Sequence, residues 1–253
     1  MARGPEEEES GASPPPAEAR KSAFQRKGSG EDEEEELRVF LHQRAFPEKP
    51  VMFGSNCKLD ADNDYRFSNF YETGVPLGHR GRLYPTSEHA YQALKFPPDA
   101  RGRFAVGGDL AGWEGLGLFY ADPAEAEKKR EYWGRKRMLG VVAKLCATQA
   151  AQAGLPPPAP LGPAERKCRL FLEILAAKFA GSPELAEALR RTRGRYLLEF
   201  ARGAEKREAS GKEPEQWGGL AVLGADGQWR LHGENLMGKC LMAHRARAAR
   251  EEG

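Results

Sequence analysis

Apolar residues recur at two kinds of spacing along the chain, and these spacings predict a mixture of helices and short strands. The segments "ELRVFLHQ" and "PVMFGS" alternate between apolar and polar positions as strands do. Farther along, five apolar residues follow one another at i, i+3, i+4, i+7 and i+11, which predicts a helix: Cys168, Phe171, Leu172, Leu175 and Phe179. Helices and strands follow each other without regular strand–helix–strand order. We therefore predict an α+β fold, a single mixed domain that is rich in helices and has short strands.

The segment "YPTSEHAYQALKF" predicts a short helix that Thr86 caps and the pair of prolines after it ends. Its polar residues Glu88, Gln92 and Lys95 fall at i, i+4 and i+7 and therefore share one face of the helix. Glu88 lies in the first turn, where the helix dipole favours a negative charge, so we expect it to be ionised. An ionised carboxylate suits a base or a group that stabilises positive charge. Taken alone, however, this pattern is more typical of a solvated helix face than of an active site.

The remaining elements are predicted from local signals. We expect an extended piece over residues 67–71, helical material in two pieces over residues 123–149, and a buried strand that ends at Glu199. The pair Asp226-Gly227 lies between two apolar runs and predicts a hairpin. Asn235 is expected to cap the last helix.

Composition divides the chain into a tail and a folded domain. Residues 1–36 are rich in Glu, Pro, Ser and Gly and carry a net charge of −6, so we predict a disordered acidic tail. The folded domain then spans residues 37–250, and the chain after the tail, residues 37–253, carries a net charge of +8. An Ala-, Pro- and Gly-rich stretch at about 148–164 is predicted to be a flexible insertion within that domain.

Charge and cysteine content narrow the classes of protein. A mildly basic body favours an anionic ligand such as a phosphate. The four cysteines form no metal-binding or disulfide pattern, so we expect reduced thiols and a protein of the cytoplasm or the nucleus. The sequence contains no apolar run that could span a bilayer, so we expect no membrane association.

Several polar and aromatic residues have two interpretations. Trp217 could stack on a planar base or anchor a loop to the core, and Gly218 and Gly219 would let backbone N–H groups approach a phosphate or hydroxyl group. Asn235 could face a ligand, although a plain helix cap is more common. The arginine-rich stretch at 190–195 could bind phosphate, although solvated helix ends are more common.

Six motifs taken together resemble the YbiA-like N-glycosidases of the NADAR (NAD- and ADP-ribose-associated) superfamily. The motifs occur in the same order and at similar spacing over residues 50–247: "DYRFSNFY", "YPTSEHAYQALKF", "LAAKF", "LLEF", "WGG" and "GENLMGKCLMAHR". The chain departs from that pattern at the insertion, at Tyr84, where a tryptophan is common, and at Pro214, where family members carry an acid. Glu213 and Glu215 flank that proline, so either could supply the acid.

The resemblance implies an enzyme that hydrolyses the C–N bond between ribose, or ribose 5-phosphate, and a base or amine, as in ribosylaminopyrimidine phosphates of the riboflavin pathway. Two alternatives stay open: an ADP-ribosyl glycohydrolase that acts on guanine in nucleic acid, and a non-catalytic ADP-ribose-binding module. The expected partner is a small phosphorylated ribosyl substrate or ADP-ribosylated nucleic acid. No metal and no cofactor is expected.

The resemblance also assigns residues to the site. Glu88 and Lys95 would be catalytic, with Glu88 stabilising an oxocarbenium-like sugar. Lys95 would either bind phosphate or form a Schiff base with the ring-opened sugar. Phe67, Phe70 and Trp217 would sandwich the base, and Trp133 would line the pocket. The remaining substrate-binding residues would be Asn69, His89, Glu199, Gly218, Gly219 and Asn235.

Overall fold

The computed structural model describes residues 37–54 and 57–251, and the acidic tail predicted for residues 1–36 lies outside them. The structure is α+β, as predicted. The described α-helices are α1 (residues 37–42), α2 (Ser87–Ala93), α3 (Pro98–Arg101), α4 (Pro123–Gly134), α5 (Gly140–Thr148), α6 (Ala164–Ala180), α7 (Pro183–Arg191), α8 (Ala204–Ala209) and α9 (Leu236–Glu251).

The strands are short and form three small sheets. They are β1 (Ala45–Phe46), β2 (Val51–Phe53), β3 (Leu59–Asp60), β4 (Asn63–Asp64), β5 (Leu77–His79), β6 (Arg82–Tyr84), β7 (Leu197–Glu199), β8 (Leu220–Leu223) and β9 (Trp229–His232). One sheet has the order β3-β4-β2-β7, a second has the order β1-β9-β8, and β5 and β6 form a two-stranded sheet.

Two strands that flank β2 in the first sheet end in acidic residues, β4 in Asp64 and β7 in Glu199. β2 is parallel to both β4 and β7, and Phe53 lies opposite Glu199. Leu197 and Leu198 are fully buried, as is usual for parallel strands that are covered on both faces. An isolated bridge between Phe200 and Gly219 continues this sheet toward β8.

Helices α2, α5, α6 and α9 supply most of the hydrophobic core. Phe171, Ile174 and Leu175 of α6 are fully buried, as are Met237 and Cys240 of α9. Each large apolar side chain that is removed from water in this way stabilises the fold by roughly 1.5–3 kcal/mol. The stripe predicted for α6 is thus a core face. All four cysteines are free and buried.

Several predicted boundaries are confirmed. The side chain of Thr86 accepts a hydrogen bond from the backbone N–H of His89 and caps α2. The helical material over residues 123–149 forms two helices, α4 and α5, and β7 ends at Glu199. The predicted hairpin is formed by β8 and β9.

The prediction of a strand in "ELRVFLHQ" was wrong, because these residues form α1. The alternating pattern places Val39 on the same face as Leu37 and Leu41. In the structure Val39 is 61% exposed, whereas Leu37 is buried and Phe40 and Leu41 pack against the core. The apolar positions therefore follow the i, i+3, i+4 spacing of a helix.

The extended piece predicted over residues 67–71 was also wrong. A single 3-10 turn covers Tyr65–Phe67, and the carboxylate of Asp64 caps it by accepting a 3.0 Å hydrogen bond from the backbone N–H of Arg66. A turn follows before the chain reaches β5.

The insertion at about 148–164 is irregular between α5 and α6 but makes defined contacts. Leu155 and Leu161 are buried in the core, and the backbone N–H of Ala159 donates a 2.8 Å hydrogen bond to the carbonyl oxygen of Lys95. The insertion therefore packs beside the end of α2. Nowhere in the described residues is a helix both long and apolar enough to cross a bilayer.

Gly140 lets α5 approach α2 closely. A Cβ atom at this position would lie 2.5 Å from the Cα atom of Phe70 and 3.0 Å from the Cβ atom of Glu88. We expect Gly140→Ala to lower the free energy of unfolding by about 1–3 kcal/mol, because backbone atoms must move to admit the methyl group. Urea denaturation measures this loss.

Gly134 provides the matched control, because a Cβ atom there would meet nothing within 4 Å at the end of α4. Gly134→Ala should be neutral or should stabilise the protein by up to about 1 kcal/mol. Equal losses in the two variants would contradict the close approach at Gly140.

Candidate functional site

A small cavity of about 90 Å³ lies where α2, α5, α6 and the end of β7 meet. Its walls are polar on one side and aromatic on the other. The lining residues are Asn69, Phe70, Glu88, Tyr91, Gln92, Lys144, Phe171, Glu199, Glu215 and Trp217.

Glu88 lies at the centre of the polar wall. Its side chain is 2% exposed, and its two carboxylate oxygens accept hydrogen bonds from the side-chain amides of Asn69 and Gln92. Its backbone N–H also donates a 3.0 Å hydrogen bond to the carbonyl oxygen of Asn69. Asn69 is thus held to Glu88 through both its backbone and its side chain.

The protonation of Glu88 is not governed by its place in the first turn of α2 alone. Burial raises the pKa of this carboxyl group, and the charge of Lys144 and the two amide hydrogen bonds oppose that rise. That Glu88 is ionised therefore stays a prediction, and it depends on Lys144 and the two amides as well as on the helix dipole. The sequence could not reveal that this first turn is enclosed by other elements.

Glu199 is the second carboxyl group of the cavity and ends β7. Burial, followed by repulsion from Glu88 and from Glu215, raises the pKa of Glu199 to about 8, against the opposing charge of Lys144. Glu199 is therefore protonated at neutral pH. The charge of Glu88 contributes to this rise, so the two carboxyl groups influence each other's ionisation.

The backbone of Glu199 is fixed from both sides. Its N–H donates a 2.9 Å hydrogen bond to Oδ1 of Asn235, and its carbonyl oxygen accepts a 2.8 Å hydrogen bond from the N–H of Gly219. The position of this carboxyl group is therefore set by the two loops that flank β8 and β9.

Three aromatic side chains form a continuous wall opposite the carboxyl groups. The ring centre of Trp217 lies 5.0 Å from that of Tyr91 and 5.5 Å from that of Phe171. The ring centres of Tyr91 and Phe171 are 5.2 Å apart. Phe70 lines the cavity as well. A wall of this kind can stack on a planar base or on the apolar face of a sugar.

One lysine lines the cavity and two others lie close enough to interact with it or with each other; we refer to Lys95, Lys144 and Lys167 as the lysine rim. Lys144 lines the cavity itself. Nζ of Lys95 lies 5.2 Å from the centre of the Tyr91 ring, and Nζ of Lys167 donates a 2.9 Å hydrogen bond to Oε1 of Gln216. Burial lowers the pKa of Lys95, and the charges of Lys144 and Lys167 lower it further while that of Glu88 raises it.

The structure brings five of the predicted residues together around the cavity: Asn69, Phe70, Glu88, Glu199 and Trp217. Lys95 is beside the cavity rather than in its wall. Trp217 is held by neighbouring rings and also lines the cavity, so it anchors its loop, and its stacking on a base stays a prediction.

Three other predicted residues lie elsewhere. Phe67 is fully buried and packs edge-on against Phe53, with 6.4 Å between the ring centres, so it belongs to the core rather than to a base sandwich. His89 is fully buried, its Nδ1 is 2.8 Å from Oγ1 of Thr86, and burial lowers its pKa to about 3. Trp133 lines a separate cavity on α4.

The glycines and Asn235 support the site instead of lining it. A Cβ atom on Gly218 would lie 2.7 Å from the carbonyl oxygen of Glu199, and one on Gly219 would lie 2.6 Å from that of His232. Their role is close packing of backbone segments. Both polar atoms of the Asn235 amide bind β7: Oδ1 accepts from the N–H of Glu199, and Nδ2 donates a 2.8 Å hydrogen bond to the carbonyl oxygen of Leu197. Asn235 neither faces the cavity nor caps α9 with its side chain.

Five wall residues were not assigned to the site from the sequence: Tyr91, Gln92, Lys144, Phe171 and Glu215. Lys144 is a single lysine in the apolar segment "GVVAKLCA", and that isolation was the available signal. Phe171 was assigned only to the core stripe of α6. Of the two acids that flank Pro214, Glu215 is the one that lines the cavity.

The raised pKa of Glu199 has a consequence for stability. The pKa of Glu199 in the folded protein is about 8, above the ordinary value of a glutamate. The stability that protonated Glu199 contributes is therefore lost as the pH rises toward and through 8. Between pH 5 and 9 the free energy of unfolding of the wild type should fall by about 1–3 kcal/mol more than that of Glu199→Gln. Chemical denaturation across this range measures the difference.

The exposed Glu114 is the control, and Glu114→Gln should follow the wild type. Identical curves for the wild type and Glu199→Gln would contradict the raised pKa of Glu199.

Comparisons with known proteins give one likeness to report. The chain is similar to the NMR structure of the E. coli protein YbiA, with 22% sequence identity, a TM-score of 0.42, and coverage of 84% of this chain and 92% of that chain. No family model matches the sequence, and no curated protein matches it. The function of this chain is therefore inferred from the geometry of its own cavity.

Proposed function

We propose that this protein is an N-glycosidase that hydrolyses the C–N bond between the anomeric carbon of a ribosyl group and a base or amine. The observation that carries the proposal is the pair Glu88 and Glu199, two carboxyl groups that line one cavity. Two side-chain amides donate hydrogen bonds to Glu88 and favour its charged form, whereas burial raises the pKa of Glu199 to about 8. Such a pair provides a carboxylate and a proton donor at neutral pH, which is the combination that glycosidic cleavage requires.

Each group has a defined task in this reaction. As the C–N bond breaks, its electron pair leaves with the nitrogen, which takes a proton from the carboxyl group of Glu199. The carboxylate of Glu88 stabilises the positive charge that develops at the anomeric carbon. Water then adds to that carbon, and its proton returns to the carboxylate of Glu199. The products are the free sugar and the protonated base or amine.

Unsatisfied acceptors in the cavity wall fit a sugar substrate. Within the described residues, Oδ1 of Asn69 and Oε1 of Gln92 are buried and have no hydrogen-bond partner. A buried acceptor without a partner costs about 1–3 kcal/mol, and ribose hydroxyl groups would relieve that cost by donating to both oxygens. The aromatic wall of Tyr91, Phe171 and Trp217 would receive the base.

The lysine rim favours a substrate that carries a phosphate. The negative charges of Glu88 and Glu215 inside the cavity would repel a phosphate there, whereas Lys95, Lys144 and Lys167 offer positive charge in or near it. A ribose 5-phosphate group spans such an arrangement with its anomeric carbon near Glu88. In this geometry Lys95 serves as a cation rather than as a Schiff-base lysine.

The same chemistry would release ADP-ribose from an ADP-ribosylated base, so both substrates belong in the test. A non-catalytic ADP-ribose-binding module is less compatible with the cavity. A binding module gains nothing from three carboxyl groups near a pyrophosphate.

The proposal is tested by measuring release of ribose 5-phosphate or ADP-ribose from a panel of ribosylaminopyrimidine phosphates and ADP-ribosylated guanine. We expect Glu88→Gln and Glu199→Gln to lower kcat by roughly 100- to 10,000-fold. Stabilisation of both variants by the ligand in thermal shift should persist, because the amide retains the shape of the side chain. Binding without release by the wild type, for every member of the panel, would favour the binding module.

The pH dependence of kcat tests the role of Glu199 separately. Because the protonated form is the active one and its pKa is about 8, kcat should decline above that pH in the wild type. Glu199→Gln has no such proton and should show no decline in its residual rate. A decline that persists unchanged in Glu199→Gln would assign the proton donor to another group.

The variant Lys167→Met tests whether the substrate binds through a phosphate. We expect Lys167→Met to raise KM for a phosphorylated ribosyl substrate by roughly 10-fold while KM for the same compound without its phosphate stays constant, since a hydrogen bond to a charged group contributes about 1.5–3 kcal/mol. Lys129 is the matched control. Its Nζ lies 6.0 Å from the centre of the Tyr120 ring, and it lines a different cavity. An equal effect of Lys129→Met would show that only the overall charge matters.

A further inference from the structure

Lys178 is a lysine buried behind the cavity, and its environment is unusual for a cation. It lies in the last turn of α6 and is 1% exposed. Its Nζ donates hydrogen bonds to three consecutive backbone carbonyl oxygens, those of Arg66 at 3.0 Å, Phe67 at 3.2 Å and Ser68 at 2.8 Å. A protonated lysine has three N–H donors, so these three acceptors match the charged form.

The three carbonyl groups immediately precede the residues that enter the site. Asn69 follows Ser68 directly and is bonded to Glu88 through its side-chain amide and its carbonyl oxygen. Phe70, the next residue, lines the cavity. Residues 66–70 form a turn instead of a regular element over most of their length, so strand or helix hydrogen bonds do not fix their path.

We propose that Lys178 is a positioning residue that holds the turn at residues 66–70 so that the side-chain amide of Asn69 stays on the carboxylate of Glu88. The kinetic part of this inference rests on the function proposed above. The structural part, a dependence of Asn69 on Lys178, does not.

The charged groups that face Lys178 reinforce this role. Asp64, at the start of the same turn, and Glu199 both favour its protonated form, whereas burial lowers the pKa of Lys178 to about 7. In return, the charge of Lys178 opposes the rise of the pKa of Glu199. Protonated Lys178 therefore acts on both carboxyl groups of the cavity, on Glu88 through Asn69 and on Glu199 through its charge.

The chain contains a matched control for the loss of a buried lysine. Lys239 on α9 is also fully buried, its pKa is lowered to about 8 by burial, and its Nζ donates a 2.7 Å hydrogen bond to a backbone carbonyl oxygen, that of Leu41. It supports α1 and does not contact the turn at residues 66–70. Lys178→Met and Lys239→Met thus remove similar groups from different places.

The test compares the two variants in kinetics. We expect Lys178→Met to lower kcat by about 100-fold, the cost of a small displacement of a catalytic group, and to remove the change of kcat near pH 7 that deprotonation of Lys178 causes in the wild type. Lys239→Met should leave kcat and the pH profile unchanged, even if it lowers Tm by as much as Lys178→Met does. Equal effects of the two variants on kcat would reduce Lys178 to a structural residue and overturn the proposal.

A second measurement needs neither turnover nor a folded Lys178→Met variant. In Glu199→Gln protein, the side-chain amide signal of Asn69, assigned through its loss in Asn69→Ser, is followed by NMR from pH 6 to 8.5. We expect the signal to shift with a midpoint near pH 7 as Lys178 loses its proton. Absence of that transition would overturn the proposal even if glycosidase activity is found. Its presence together with no turnover of any substrate would leave Lys178 as the residue that holds Asn69 and would refute the proposed function instead.

Discussion

The candidate site depends on one buried ion, the ammonium group of Lys178, and on the three backbone carbonyl oxygens that surround it. Removing a cation from water costs several kcal/mol unless every one of its donors finds a partner. Here the partners are consecutive peptide groups of a turn, so satisfying the lysine also fixes the path of the backbone. Asn69 extends that path to Glu88. The carboxylate of Glu88 is thereby tied to the end of α6 through a short chain of hydrogen bonds.

The two buried glutamates of the cavity, Glu88 and Glu199, differ in their chemistry because their surroundings differ. Glu88 accepts two amide hydrogen bonds, which favour its charged form, whereas Glu199 is held at the end of β7 close to other carboxyl groups and keeps its proton to about pH 8. Both are glutamates, and only their surroundings distinguish them. Lys144 moderates both groups, since its charge lowers the pKa of each.

Asn235 shows how residues outside the cavity support it. Its backbone is in the left-handed region, with φ of 49°, and its side-chain amide joins the start of α9 to the first and last residues of β7. This arrangement sets the position of Glu199 without any contact with a ligand. The glycines at 218 and 219 serve the same end, because a side chain on either would collide with neighbouring backbone. A motif can therefore be functional through the geometry it enforces.

Local chemistry along the sequence determined the α+β class, the cap and course of α2, the stripe of α6, the β8–β9 hairpin and the end of β7 at Glu199. These features depend on the spacing of neighbouring residues, which the sequence displays directly. The helical nature of α1 and the turn at Tyr65–Phe67 were not predicted, because apolar residues fit two periodicities in the first case and the turn is held by a distant lysine in the second. The sequence also placed Glu88, Asn69, Phe70, Glu199 and Trp217 in a site through its resemblance to a family, while Phe67, His89, Trp133 and Asn235 turned out to face elsewhere.

Only the tertiary structure decided which charges are buried together. In the sequence, Lys178 is an ordinary basic residue in the last turn of a helix, where the helix dipole favours it. Lys144 is a single lysine on an apolar helix, and Glu215 is one of two equivalent acids. Their roles arise from desolvation and from charges that come close only after folding, and both depend on distances between segments far apart in the chain. The sequence by itself therefore determined which side chains this protein can use, and folding decided which of them carry a proton.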